Sequence, residues 1–199
     1  MRYKFTDETK ELESGHVLHR IVATCYSEVS HRQIQKGTLG GWIEKKENLQ
    51  GEAWVSGEAM VYDDAVVTGN AYVYDHARIC DCATVDGNAF VGGNVFIGGT
   101  STVSDNVVVL RDAKILNAHL HDQVHVVDKA IVSNGAELYN NATVCDEAKV
   151  SGAKLFNHVV VKGDADIGSN LTILGDTVLG RGVKIAGYIG RDIIIKSKV

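Results

Sequence analysis

Three histidines fall within the run AHLHDQVHV: His119, His121 and His125. Imidazole is the side chain that titrates nearest neutrality, so such a cluster suits general-base chemistry, and Asp122 beside His121 is the kind of group that orients a base. Adjacent residues seldom orient one another, however. Zinc ligation is the other chemistry histidines suggest, but this spacing matches no zinc motif. Cys80-x-Cys82 lacks a second pair, and Cys25 and Cys145 stand apart, so the four cysteines read as free thiols rather than disulfides or metal ligands. No metal site is expected.

The element that must position these residues is a six-residue unit. From Ala53 to Ile185 a small residue is followed two places later by Val, Ile or Leu, then by turn residues such as Gly-Asn or Asp-Asp, twenty-three times over. Ala71/Val73, Ala77/Ile79, Ala83/Val85 and Ala89/Val91 show the pattern undistorted. Residues two apart in an extended segment share a face, and Gly, Asp and Asn accept the left-handed backbone of a tight corner. A helix would need a period near 3.6, so short strands joined by regular corners predict a solenoid. Three units per coil give a triangular prism of about eight coils, roughly 38 Å long at the ~4.8 Å strand spacing. The phase slips by one residue at Asn117 and again at Gly152, and a third tight corner is anticipated at Gly187.

The flanks do not repeat. Residues 1–50 predict a small, mixed α/β N-terminal cap: Arg2 to Phe5 and His19 to Tyr26 read as strands, and Asp7 to Glu13 as a turn or short helix. Trp42 and Ile43 are the predicted lid of the open first coil, with Gly40 and Gly41 allowing close approach. Residues 51–188 form the solenoid, and 189–199 a C-terminal strand or tail. The absence of proline fits a continuously paired ladder. A net charge of −5 argues against a nucleic-acid partner. No signal peptide or membrane span is visible, which points to a cytoplasmic protein without membrane partners.

Stacking every third unit sorts the outward residues onto three faces. Face one carries Trp54, Tyr72, Tyr74, Phe90, Val108, Leu110 and Val127, an apolar stripe of the sort that contacts another surface, either a second subunit or the folded-back cap. Face two is mixed, with Met60/Tyr62, Arg78/Cys80, Phe96/Gly98, Lys114/Leu116 and Ile131/Ser133. Face three is more polar and bears His119 and His121, whereas His125 falls on face one, so the three histidines cannot gather within one chain. At one corner Asn70, Asn88, Asn106, Gln123, Asn141, His158 and Asp176 stack, which makes His158 a ladder member rather than a catalyst.

The hexads resemble those of the hexapeptide-repeat, LpxA-like superfamily, and that resemblance implies an all-β, single-stranded left-handed β-helix. Leu18-His19-Arg20-Ile21, Gly37-x-Leu39-Gly40-Gly41-Trp42-Ile43-Glu44, Asn48-Leu49 and Ala53-Trp54-Val55 are similar to the YdcK-like family of β-helical proteins, often encoded by phages or prophages. Acyltransferases of the superfamily use a histidine base in a cleft between subunits. By that resemblance His121, then His125, are the candidate catalytic residues, acetyl-coenzyme A or another acyl-coenzyme A the cofactor, and a homo-oligomer, preferably a trimer, the assembly. Yet no loop interrupts the hexads and no cationic cluster awaits the coenzyme phosphates. The sequence therefore favours a non-catalytic binding or scaffold protein that needs no cofactor and engages a protein or small molecule through its faces or subunit clefts; an acyl-coenzyme A-dependent acyltransferase is the alternative.

Overall fold

The computed structural model describes residues 2–187 and the strand Ile193–Lys196. The hexads wind the chain into an all-β solenoid of about eight turns with three parallel sheets, one per face. Face one runs from Trp54–Val55 to Val178–Leu179, and face three from Val66–Val67 to Ile193–Lys196, eight strands each. Face two ends at Lys184–Ile185. Equivalent positions stack in register, so Phe90 lies between Tyr72 and Val108, and Phe96 between Arg78 and Lys114. The aliphatic slots meet along the axis: Val73, Val91 and Val109 are all fully buried. Asp and Asn turn many corners with positive φ, such as Asp63 and Asp81 at 58°.

Both phase slips are shortened corners. Thr102 pairs with His119 and Glu137 with Lys154, one residue short of the usual stacking, and the corners hold Asn117 at φ 51° and Gly152 at φ 66°. The third tight corner, anticipated at Gly187, adjoins residues outside the described ones; beyond them Thr172 pairs with Ile194. The predicted C-terminal strand is present as Ile193–Lys196, parallel to Leu171–Leu174 on face three; the remainder of 189–199 lies outside the described residues.

The N-terminal segment is built from strands, with a single 3-10 turn, Lys46–Asn48, as its helical piece among the described residues. β1 (Tyr3–Glu11) and β2 (Val17–Ala23) form an antiparallel hairpin, β3 (Ser27–Val29) and β4 (Arg32–Ile34) a second one, and β5 (Leu39–Ile43) pairs antiparallel to β2. Asp7 to Glu13 is therefore strand through Glu11, not a turn or helix. β5 also runs parallel to Met60–Val61, which makes it the first strand of face two and starts the solenoid some ten residues before the expected boundary at 51. Ile43 consequently fills an aliphatic slot and Trp42 points outward into a cluster with Leu18 and Met60, so neither is the lid. Ile21, Val29 and Ile34 cover the first coil instead, joining the same core as Val55. A Cβ on Gly40 would sit 2.5 Å from Ile21, and one on Gly41 2.6 Å from the Ala59 carbonyl oxygen, so the close approach does require glycine there. No helix among the described residues is long and apolar enough to cross a membrane.

Candidate functional site

The histidines come first because their chemistry was the strongest sequence signal. The strand His119–Leu120 lies between Thr102–Val103 and Glu137–Leu138 on face three. His119 Nδ1 lies 2.8 Å from Thr102 Oγ1, and His121 Nδ1 lies 2.7 Å from Ser104 Oγ. The His121 ring stacks on Tyr139 at 5.3 Å, and Tyr139 on Phe156 at 5.0 Å. Tyr139 donates its hydroxyl proton to Glu137 Oε2 at 2.9 Å. The Asp122 carboxylate does not turn to His121; it accepts the backbone N–H of Asn140 at 2.9 Å. His121 is thus a rung of a stacked ladder. His125 stands exposed on face one between Val108 and Thr143. The three histidines do not converge within one chain, as face assignment anticipated.

The expected ladder forms at the two ends of its column. Asn70 donates to Asn88 at 2.9 Å and Asn88 to Asn106 at 3.1 Å, while His158 lies 3.3 Å from Asn141 and 3.1 Å from Asp176. On face one the cap covers the first coil, and Trp54 is buried with its indole N–H unpaired. Tyr72, Tyr74 and Phe90 pack together, and the Arg32 guanidinium lies 5.5 Å from the Phe90 ring centroid. Val108, Leu110 and Val127 beyond them are half-buried.

Face two carries a groove of about 680 Å³ open to solvent. Its apolar floor comes from Phe96, Leu116 and Ile131, and Arg78 and Lys114 stand on either side of Phe96, about 10 Å apart along the stacking direction at the ~4.8 Å strand spacing. Beside the groove, Gly98 pairs with Leu116, and a Cβ there would lie 2.8 Å from Asp81 Oδ2 and 2.9 Å from the Phe96 ring, a close approach that favours glycine. His76, Asn94, Ser133 and Asn134 form the polar rim, and no carboxylate lines the groove. Arg78 also borders a second concavity of about 650 Å³, whose other wall is the β1–β2 turn, Lys10 to Ser14, over Met60 and Tyr62. The two concavities meet at Arg78 along face two; the cap end of this trough carries the Glu11 and Glu13 carboxylates, and the middle-coil end, between Arg78 and Lys114, carries none.

One carboxylate, Glu58, gathers three donors from the segment that walls this trough. Glu58 accepts from Lys10 Nζ (2.8 Å), Arg20 (2.8 Å) and Trp42 Nε1 (3.0 Å), while Lys10 and Arg20 lie 4.7 and 5.0 Å from the Trp42 ring. Its hydrogen bond to Lys10 above all, with those to Arg20 and Trp42, pulls the Glu58 carboxyl down to about 2.

Sequence reasoning placed Arg78, Phe96 and Lys114 on one face but did not see a site there. The available signal was the pairing of stacked cations with an aromatic beside the glycine at 98. No protein-family model matches the chain, and no curated protein matches it.

Proposed function

We propose that this chain is a non-catalytic β-solenoid binding protein whose face-two trough takes a small anionic ligand carrying an apolar or aromatic portion. The observation that carries this reading is the alternation Arg78–Phe96–Lys114 along the groove. Two cations without ion-pair partners among the described residues, on a chain of net charge −5, attract an anion locally, and the floor between them buries an apolar group. The volume suits a ligand of metabolite to drug size. YdcK-like family membership, phage or prophage association and homo-oligomerisation through face one, preferably as a trimer, belong to the same proposal. They rest on the residues quoted for the resemblance and on the half-buried Val108, Leu110 and Val127.

The test is a native mass-spectrometry and calorimetry screen with fatty acids, acyl-coenzyme A and aryl phosphates, followed by Arg78→Glu and Lys114→Glu. One probe class should bind and lose at least tenfold affinity in either variant. Failure of every anionic amphiphile to bind, or affinity unchanged in both variants, overturns the reading. Turnover of an acyl-coenzyme A that disappears in His121→Ala would establish the acyltransferase instead.

A further inference from the structure

A second constellation lies outside the trough, where the β1–β2 turn crosses the first solenoid corner. His16 enters from that turn, whose Leu12 N–H donates to the His16 carbonyl at 2.9 Å. Glu44 follows β5, and Asp63 is the left-handed corner residue after Tyr62. His16 Nδ1 lies 2.9 Å from Glu44 Oε1, and His16 Nε2 lies 3.2 Å from Asp63 Oδ1. All three side chains are about seven-tenths covered, at 27%, 27% and 31% exposure.

Each carboxylate has its far oxygen fixed. Glu44 Oε2 accepts the Asp63 N–H at 2.7 Å, and Asp63 Oδ2 accepts the Asp81 N–H at 3.1 Å. Corner carboxylates elsewhere make the same backbone bond, as Asp81 does with Gly99 and Asp146 with Gly163, but no histidine stands before them. At Asp63 the near oxygen is left to face an imidazole. On the other side of Asp63, Cys80 and Asp81 bring ligand atoms that lie, with one from Asp63, within 4.8 Å of one another, just as those of His16, Glu44 and Asp63 do. A nitrogen donor, two further carboxylates and a thiol thus surround Asp63.

Charge separates two ways of filling this corner. An imidazolium between Glu44 and Asp63 leaves one negative charge uncompensated and does nothing for Asp81. A divalent ion with neutral imidazole balances both carboxylates that face His16. The donor types are those of borderline ions such as Zn2+, whereas Mg2+ and Ca2+ take oxygen ligands alone. The contact of Nδ1 with Glu44 is the arrangement in which a carboxylate fixes a metal-bound imidazole through its other nitrogen. We propose that this corner is a binding site for a divalent transition-metal ion of the zinc class, held by His16 and Asp63, with Glu44 orienting the imidazole and Cys80 and Asp81 completing the surroundings. The ion staples the β1–β2 turn to the solenoid and so fixes the wall of the face-two trough.

The test uses full-length, chelator-stripped protein in which the exposed Cys25 and Cys82 are replaced by Ser, to remove stray thiols. Titration with Zn2+ or Co2+ at pH 7.5 should give one ion per chain and slow proteolysis within residues 10–18. His16→Ala and Asp63→Asn should each weaken binding at least tenfold. Circular dichroism of the metal-free variants checks that the solenoid, whose core does not include these side chains, is intact. No binding at tens of micromolar ion, or unchanged binding in both folded variants, overturns the proposal and leaves the cluster as a histidine held between two carboxylates.

Discussion

The middle coils and the N-terminal cap hold together by opposite means. In the middle, nearly every contact is repeated one coil up: Val91 sits over Val73 and under Val109, and Asn88 between Asn70 and Asn106. Stability there is a sum of near-identical neighbour interactions, as expected of a quasi-one-dimensional array. The cap depends on contacts that occur once, namely Glu58 with Lys10, Arg20 and Trp42, and Glu44 with His16. Damage to the middle should therefore cost global stability, while damage to the cap should release a hairpin and leave the prism standing. The trough of face two spans both regions, so its floor is robust and its wall conditional.

The comparison is broken most severely in the core. Ile97 is fully buried beneath the trough floor, and Ile97→Ala should cost about 2–5 kcal/mol through lost burial and the cavity left behind. The urea-unfolding midpoint should fall with the hairpin still protected from protease up to the global transition. Earlier hairpin cleavage in this variant would show that the two regions are not separable.

Gly41→Ala reverses the pattern. Its Cβ would press on the Ala59 carbonyl and on Val55, neither of which can yield without moving the first coil, and a cost of about 1–3 kcal/mol is expected. The loss should appear as rapid cleavage within residues 1–38 and a nearly unchanged midpoint for the remainder.

Acid sharpens the same contrast. The folded-state Glu58 carboxyl titrates near 2, below its usual 4.5, so its contribution is complete above pH 4.5 and is lost as pH falls towards 2. Hairpin protection should decline across that window, and Glu58→Gln should remove this part of the pH dependence. Mid-solenoid circular dichroism should vary less over the same range.

The difference between the regions also explains what could be read from the chain. The prism, its faces and the slips at Asn117 and Gly152 were legible because each unit repeats the small-x-aliphatic signal and an error in one is corrected by the next. The cap was not legible in that way. β1 pairs on one side only, and past Phe5 its residues are exposed or half-exposed, so no alternation marks it as a strand. β5 does carry a small-x-aliphatic unit, Gly41-x-Ile43 level with Ala59-x-Val61, but the next unit, Glu47-x-Leu49, lacks the small residue, which cuts β5 off from the regular run that begins at Ala53. The groove was invisible for another reason. Columns Arg78–Phe96–Lys114 and Cys80–Gly98–Leu116 could be written down, but a concavity is a shape that several side chains make together, and no single residue advertises it. The meeting of His16, Glu44 and Asp63 needs the turn, β5 and the first corner placed together before it exists.

The smallest effect is expected where the sequence signal for chemistry was strongest. His121 spends Nδ1 on Ser104 and its ring on Tyr139, and both partners reach solvent in its absence, Ser104 and Tyr139 being only half-buried. Deleting it strands no buried polar group, so His121→Ala should cost less than about 1 kcal/mol. It lies on face three, across the prism edge from the trough, and should leave the affinity of any face-two ligand unchanged. Denaturation midpoint and ligand titration of the one variant measure both quantities. A fall of tenfold or more in ligand affinity would move the site from face two to face three and return His121 to the chemistry its surroundings in the sequence suggested.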